Sequence, residues 1–429
     1  MFPFEPIVLL FLAIMLLASL TSQKTHVPYT LVLVIAGIIL TTSHISLPLG
    51  LLGKYLGSSV LEVRLAYTQL TAGGANSLFI GLVVPPLIFD AMAHVRSDDL
   101  RKVLRRSIFL ATFGVALATV ITGLILWRLA GLPIRVAFIF SAIISPTDTA
   151  TVISVFKSSG LPSRLSTILE TEAAFNDATA IIIFTVILAS SNIKRIPFIA
   201  TLGSFAITFG GGLLVGLLMS VFAAALNNLI TDRLAKTILS LFAVYGSYII
   251  ASTFGLSGLV SVAVVGLLFG NTAAQAHFDP FTRETVSVFW EIAAFAGNSV
   301  AFLFFGFDTN FFALVHSFGY IVVAFGAIMA ARAAAVYPAF FVFDRIEDFK
   351  TPASWKNTVL LGGMRGALSV ALASSLYTSS ELTSTVASEV ATLVLGVAFL
   401  SLTLQAAALA LYTKARFYSP MHRREAEDQ

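Results

Sequence analysis

The 429-residue chain contains no cysteine and few charged residues. Without cysteine it can form neither a disulfide framework nor a thiolate metal site. Asp, Glu, Lys and Arg together make up 11% of the chain, whereas a typical soluble domain has about 25%. The sequence also has no glycine-rich phosphate-binding loop and no basic patch attached to a folded polar domain. These absences disfavour nucleotide-driven chemistry by this chain alone, nucleic-acid binding and a soluble fold.

Apolar sequence is what the chain has in abundance. Hydrophobic residues make up 57% of it, and a helix needs about 20 apolar residues to cross a bilayer. Helices are expected because lipid-exposed backbone must satisfy its own hydrogen bonds. We therefore predict an all-α polytopic membrane protein with about thirteen transmembrane helices, and a loop over the more polar residues 49–74. The predicted spans are 4–22, 28–43, 75–94, 106–129, 134–156, 164–190, 198–226, 234–253, 257–271, 283–306, 311–342, 355–377 and 387–412.

The orientation of the chain follows from basic residues in its short loops, which favour the cytoplasm. They concentrate on one side, for example Arg101 and Lys102 after the third span and Lys414 and Arg416 after the thirteenth. The C-terminus is therefore predicted to be cytoplasmic, with residues 414–429 as a short tail. Because the number of spans is odd, the N-terminus is predicted to lie outside the cell membrane.

The fifth predicted span is interrupted by the sequence IISPTDT. Pro146 lacks a backbone donor and disfavours helix at Ser145, so the helix should break there. A break frees carbonyl oxygens, and such backbone is tolerated only where it faces protein or a cavity. Together with the Thr147 hydroxyl and the Asp148 carboxylate, these oxygens would form an all-oxygen site that suits a hard cation.

The twelfth predicted span contains LGGMRGA, in which three glycines within five residues loosen the helix at mid-depth. Small residues alone could serve close helix packing. They do not explain Arg365, which cannot lose its proton and therefore needs an acidic partner inside the membrane.

The sixth predicted span contains the run TEAAFNDATAII, although ionised carboxylates inside a bilayer are costly. Glu172 and Asn176 are four residues apart and share a helix face, and Asp177 is displaced around that face. Glu172 is the natural partner for Arg365, with Asp148 as a competitor. This pairing would leave Asp177 as a buried carboxylate that can hold either a proton or a metal cation, so that the two compete.

The interruptions in spans five and twelve lie seven spans apart, and an odd offset inverts the topology of a second copy. Spans 1–6 and 8–13 are therefore predicted to form two inverted six-helix repeats, with crossing broken helices at spans five and twelve. Discontinuous helices at corresponding positions of inverted halves indicate the midplane site of a transporter.

Two stretches carry a family resemblance. SPTDTATVISVFKSSGLPSRLSTILETEAAFNDATAIIIF resembles the signature region of the electroneutral sodium/proton antiporters of the monovalent cation:proton antiporter family, in its prokaryotic, archaeal-like branch. LLGGMRGALSVALASSL resembles the twelfth-helix signature of the same family. The resemblance implies a homodimer, with residues 1–96 and 198–306 as a dimerisation domain and 104–191 and 311–413 as an ion-translocating core. Movement of the core would carry the ion across the membrane as an elevator.

Carried over residue by residue, the resemblance implies a sodium site on spans five and six. Thr147, Asp148, Asn176 and Asp177 would bind the cation, and the carboxylates of Asp148 and Asp177 would carry the ion and the proton. One departure concerns Ala173, because similar archaeal members often have a serine there that can donate an oxygen.

Four further charged residues match positions of the family. Glu172 and Arg365 would be the ion pair that braces the core, and Arg332 in AARAAAVYP matches a second buried arginine. Asp90, which closes VVPPLIFD on the third span, matches an acid that can reach the ion through water.

These features predict a secondary antiporter that exchanges Na⁺ or Li⁺ for H⁺, with membrane lipids around it, no cofactor and no enzymatic activity. A neutral Asn176 beside one titratable Asp177 favours electroneutral exchange of one proton per cation. A potassium/proton antiporter is the alternative within this class, and Ala173 leaves that choice open. A cation channel is a rival of another class, while the intact Asp148 and Arg365 argue against a sensor that has lost transport.

Overall fold

A computed structural model describes residues 4–25, 27–42, 76–148, 162–190, 198–271, 280–347, 350–378 and 381–417. All regular secondary structure within these ranges is helical. The predicted loop over 49–74, the second part of the fifth span (149–156) and the end of the tail (418–429) lie outside the described residues.

The helices follow the predicted spans closely. Each span corresponds to one helix or, for the twelfth, to two half-helices, so the predicted thirteen-span all-α architecture is confirmed over the described ranges. The helices are α1 (Phe4–Thr25), α2 (Tyr29–Thr42), α3 (Asn76–His94), α4 (Ser97–Phe109 and Val115–Leu129, joined by the π-helical turn Leu110–Gly114), α5 (Ile134–Ile144), α6 (Ser163–Ala189), α7 (Phe198–Asn227), α8 (Arg233–Thr253), α9 (Gly258–Asn271), α10 (Pro280–Asp308), α11 (Phe318–Ile346, after the short helix Phe311–His316), α12a (Ala353–Leu361), α12b (Ala367–Ser375) and α13 (Ser384–Leu400 and Ala406–Phe417, joined by the π-helical turn Ser401–Gln405).

Length and composition explain which helices can cross a bilayer unaided. Among the described residues, eight helices are long and apolar enough to do so: α1, α4, α6, α7, α8, α10, α11 and α13. Helices α2, α3, α5 and α9 are shorter but equally apolar. The half-helices α12a and α12b have nine residues each, so neither could span the hydrocarbon core alone.

The helices pack into two groups. In one group α2 packs on α10, α3 on α9 and α10, and α9 on α7 and α8. In the other, α4 packs on α5 and α11, α5 on α6 and α13, and α13 on α11 and α12b. Helix α6 contacts α3, α7 and α9, and α12b contacts α3 and α10, so these two helices form the seam between the groups. The dimerisation and translocation roles predicted for the groups stay predictions.

Close backbone approach holds the first group together. Gly37 of α2 faces Gly306 of α10, and a Cβ atom added at Gly37 would lie 2.5 Å from the Leu303 carbonyl oxygen. Such a distance is too short for any side chain, so glycine is required on both helices. Small residues allow this contact between helices that cannot rely on a hydrophobic driving force in lipid.

The second group contains both broken helices. Helix α5 ends at Ile144, directly before Ser145 and Pro146, as the missing proline donor predicts. Helix α12 is interrupted between Leu361 and Ala367, where Gly366 has an extended backbone with φ −130° and ψ −156°. Both interruptions lie in the buried interior and contact each other, which agrees with the predicted crossing.

Candidate cation site

The two interruptions are joined through their backbones. The Asp148 amide donates to the Met364 carbonyl oxygen at 2.8 Å. The Arg365 guanidinium donates to the carbonyl oxygens of Ser145 at 2.6 Å and Pro146 at 2.9 Å. Arg365 thereby satisfies two carbonyl oxygens directly after the end of α5 that would be costly to leave unpaired inside the membrane.

Helix α13 satisfies the other side of the α12 break. Its Gln405 side chain donates to the Leu361 carbonyl oxygen at 2.8 Å, which caps the end of α12a. The Ser401 hydroxyl accepts from the Arg365 amide at 3.2 Å and donates to Gln405 Oε1 at 2.8 Å. Sequence reasoning missed both residues. The available signal was a serine and a glutamine four residues apart, in the second half of the thirteenth span.

The predicted ion pair between Glu172 and Arg365 is wrong. Glu172 accepts from both terminal nitrogens of Arg332, with Nη2 to Oε2 at 3.0 Å and a shorter contact between Nη1 and Oε1. Arg332 Nη2 also donates to the Val359 carbonyl oxygen at 3.1 Å. The physical reason is that Arg365 lies in the break and is occupied by backbone carbonyls, while α11 directs Arg332 at α6. Arg332 is thus the bracing partner rather than a supporting charge.

A glycine makes room for this brace. A Cβ atom added at Gly363 would lie 2.7 Å from Arg332 Nε. The glycine-rich break in α12 therefore serves two purposes, because it unwinds the helix and leaves space for the arginine to reach Glu172.

The predicted oxygen ligands of spans five and six come together. Asn176, which is fully buried, donates from Nδ2 to Thr147 Oγ1 at 2.6 Å and so ties α6 to the segment after α5. Asp148 and Asp177 lie beside this contact and line one cavity together with Thr147. Asn176 contacts Thr147 but does not line the cavity itself.

The cavity has a volume of about 580 Å³ and lies at the seam between the two helix groups. Within the described part of the chain, no hydrogen bond or ion pair reaches the Asp177 carboxylate. Asp148 packs against Gly366, where an added Cβ atom would lie 2.4 Å from its carboxyl carbon. Two carboxylates, a threonine hydroxyl and unwound backbone thus surround a space large enough for a hydrated alkali cation, with the oxygen chemistry that hard cations prefer.

Asp90 lies on the α3 wall of the same cavity. His94, one turn later, contacts the Asp90 carbonyl oxygen at 2.7 Å and approaches its carboxylate at 3.6 Å. Glu170 of α6 also lines the cavity, and its Oε1 accepts from Ser166 at 2.7 Å. Sequence reasoning missed Glu170, although its position seven residues before Asp177 places it on the same face of α6.

Comparisons with known proteins give the context of this site. The family described as "Sodium/hydrogen exchanger, transmembrane" matches residues 7–415. The chain is 31% identical over 377 residues to the Na⁺/H⁺ antiporter NhaG of Bacillus atrophaeus, covering 85% of this chain and 67% of that protein. It is 30% identical over 379 residues to the Na⁺/H⁺ antiporter NhaP of Pseudomonas aeruginosa, covering 85% and 88%.

The fold also has a counterpart among solved structures. The sodium proton antiporter MjNhaP1 from Methanocaldococcus jannaschii superimposes with a TM-score of 0.71 at 22% identity, covering 96% of this chain and 98% of that one. The chain spans about two thirds of the length of the curated relatives NhaG and ApNhaP, the latter from Aphanothece halophytica. The motifs, the helices of the described ranges and the match over nearly the whole chain lead to one conclusion: this chain belongs to the sodium/hydrogen exchanger family.

Proposed function

We propose that this protein is a secondary antiporter that exchanges Na⁺, or Li⁺, for H⁺. The observation that carries this proposal is the pair Asp148 and Asp177 in one cavity at the crossing of two broken helices. The nearby arginines are engaged with other groups, Arg332 with Glu172 and Arg365 with backbone carbonyls, and neither reaches the Asp177 carboxylate in the described part of the chain. The names of the relatives NhaG and NhaP support the choice of ions.

Exchange follows from competition at Asp177. A carboxylate at the seam can bind a cation when ionised or a proton when neutral, so that loading one releases the other. Asn176 adds an oxygen-bearing but uncharged neighbour that is already hydrogen-bonded to Thr147. One titrating carboxylate beside a neutral amide supports electroneutral exchange of one proton per cation. Asp148 would stay as a second ligand, and Asp90 would meet the ion through water.

The helix ends that line the cavity support alternating access. They are the end of α1 at Ser22 and Gln23, the start of α2 at Tyr29, and the end of α3 at His94. With the predicted orientation, N-terminus outside and C-terminus in the cytoplasm, these ends face the cytoplasm. We propose that this is the inward-facing state, and that the core group moves against the other group as an elevator.

The first helix group would form the dimerisation domain of a homodimer in the cell membrane. Helix α7 of this group and helix α1, which packs on α2, expose large apolar side chains that need lipid or a second copy against them. On α1 these are Leu9, Leu12, Leu16 and Leu17, and on α7 they are Ile199, Leu202, Ile207, Leu214, Leu218 and Val221.

Potassium is the second candidate for the transported ion. Ala173 lines the cavity four residues before Asp177, where it provides no oxygen and leaves more room than a serine would. Potassium is larger and more weakly hydrated than sodium, so it needs fewer strong oxygen ligands and a less compact site. The same site would then serve potassium/proton exchange.

The test is proton flux in proteoliposomes with an imposed pH gradient, to which Na⁺, Li⁺ and K⁺ are added in turn. We expect Na⁺ or Li⁺ to dissipate the gradient when the membrane potential is clamped to zero, and the Asp177→Asn variant to show background flux. A dominant K⁺ response selects the second candidate. Cation flux without coupled proton movement would indicate a channel, and no response to any of the three cations would refute antiport.

A further inference from the structure

Ser369 on α12b has a hydroxyl group whose environment is unusual for a helix. The side chain is 1% exposed, yet its Oγ atom has no hydrogen-bond partner in the described part of the chain. Many buried helical hydroxyls donate to a carbonyl three or four residues earlier, as Ser141 does to Ala137 at 2.6 Å and Thr119 to Val115 at 2.9 Å. In the described part of the chain Thr30, Thr122 and Thr171 share with Ser369 the absence of such a bond. An unsatisfied buried hydroxyl is costly, so its retention needs a reason.

The helix break explains why Ser369 lacks the usual acceptor. The residues three and four positions earlier are Gly366 and Arg365, which lie in the unwound segment before α12b begins. Gly366 has extended backbone dihedrals, so the carbonyls there do not follow the helical pattern. The break has removed the intrahelical carbonyl acceptor, so the Ser369 hydroxyl can bind another group.

Ser369 lines the cation cavity. It shares that cavity with Asp148 and Asp177. Gly366, against which the Asp148 carboxylate packs, lines the same cavity as Ser369. The free hydroxyl is therefore presented on the side of α12b where the carboxylate lies.

We infer that Ser369 is an oxygen ligand of the transported cation, contributed by the second broken helix. The inference rests on the proposed antiport and deepens it. It would make the cation a bridge between three elements, namely the segment after α5, helix α6 and half-helix α12b. On the α6 wall of the cavity, the residue one turn before Asp177 is Ala173, which has no side-chain oxygen. Ser369 would supply a hydroxyl oxygen from the α12b wall instead.

The first experiment measures the Na⁺ concentration for half-maximal exchange and, independently, Na⁺ binding to the detergent-purified protein by calorimetry at fixed pH. Loss of one neutral oxygen ligand in Ser369→Ala should raise both values roughly three- to tenfold. Thr122→Val is the matched control, because Thr122 is also a fully buried hydroxyl without a described partner, but lies on α4 away from the cavity. It should leave both values unchanged.

A second variant separates ligation from packing. Adding Ala173→Ser to Ser369→Ala places a hydroxyl on the opposite wall of the cavity, one helical turn before Asp177, and should restore Na⁺ affinity toward the wild-type value. Failure to restore it would assign Ser369 to packing and overturn the inference. If Ser369→Ala does not fold, Ser369→Cys preserves the side-chain size but offers a soft sulfur, and should weaken Na⁺ binding in the same way.

The outcomes distinguish this inference from the proposed function. Wild-type exchange with unchanged Na⁺ affinity in Ser369→Ala, or equal weakening in Thr122→Val, overturns the role of Ser369 and leaves the antiporter intact. If wild-type protein exchanges no cation for protons, the proposed function fails, and calorimetry on the same variants still reports whether Ser369 binds the ion.

Discussion

Glu172 and Asp177 stand five residues apart on α6, yet the protein treats the two carboxylates in opposite ways. Glu172 is fully buried and held by both terminal nitrogens of Arg332. Asp177 faces the cavity, and within the described ranges no donor or cation of the protein reaches it. The five-residue step turns the second side chain around the helix, so that one acid faces the core and the other faces the seam.

One helix can therefore hold both a structural ion pair, at Glu172, and a candidate ion-binding carboxylate, at Asp177. A carboxylate that is paired with an arginine in a low-dielectric interior is held in one charge state, because breaking such a pair is strongly unfavourable. A carboxylate without a protein cation can exchange a proton for a metal ion at lower cost. We therefore expect mutations at Glu172 to affect stability and mutations at Asp177 to affect transport.

The largest effect is expected for Asp177→Asn. The variant should lose cation-coupled proton flux to the background level, because an amide can neither release a proton nor neutralise a cation. Its thermal stability in detergent should equal or exceed that of the wild type, since an amide is less costly to bury than an ionised carboxylate. A variant that still exchanges cations would move the proton-carrying role to Asp148 or Glu170.

Glu172→Gln, in contrast to Asp177→Asn, should mainly lower the stability of the protein. It leaves Arg332 buried without a counter-ion, and removal of one partner of a buried pair costs about 3–5 kcal/mol. The free energy of unfolding, followed by tryptophan fluorescence during denaturant titration, should fall by that order. The control is the double variant Glu172→Gln, Arg332→Gln, in which much of the loss should be recovered. Unchanged stability in the single variant would show that the pair does not brace the core.

Arg365→Lys tests whether the break needs a guanidinium group. Arg365 Nη1 alone donates to both carbonyl oxygens. Lysine keeps the charge and has enough donors, but it lacks the rigid planar group that fixes where this nitrogen lies. We expect a loss of about 1.5–3 kcal/mol, the value of one hydrogen bond to a charged group. The measurement is the same denaturant titration, and the comparison is Arg332→Lys, which loses a bidentate contact to a carboxylate and should be destabilised more.

Gln405→Leu should have the smallest effect. The variant removes the cap on the Leu361 carbonyl oxygen and one partner of Ser401. The expected cost is about 1–2 kcal/mol, with Na⁺ affinity nearly unchanged because Gln405 does not line the cavity. Hydrogen exchange of amides around residues 361–365 should increase. If Na⁺ affinity falls sharply instead, the cap also positions the site.

The fold was largely predictable from the sequence. Hydropathy located the thirteen spans, and Pro146 and the glycines around Arg365 located both interruptions, because these effects are local to the backbone. The start of α4 was misplaced. The charged run that begins at Ser97 is helical although it lies before the apolar stretch, since hydropathy measures contact with lipid and not helicity.

Three of the residues predicted to bind the cation share a cavity, but one predicted ion pair is wrong. Thr147, Asp148 and Asp177 do meet at one cavity. The partner of Glu172 was predicted incorrectly because a sequence gives the face of a helix on which a residue lies, but not the rotation of the neighbouring helices. Two arginines compete for that acid, and only the three-dimensional arrangement shows that Arg332 of α11 reaches it while Arg365 binds backbone carbonyls.

The contact between Arg365 and the carbonyl oxygens of Ser145 and Pro146 has an evolutionary consequence. Carbonyl groups belong to the backbone, so no substitution at positions 145 or 146 can delete them. Substitutions at these two positions therefore keep both acceptors, provided that the chain stays unwound. Substitution of Arg365, in contrast, removes the donor to both carbonyls at once. We expect a saturation library to tolerate far more replacements at 145 than at 365.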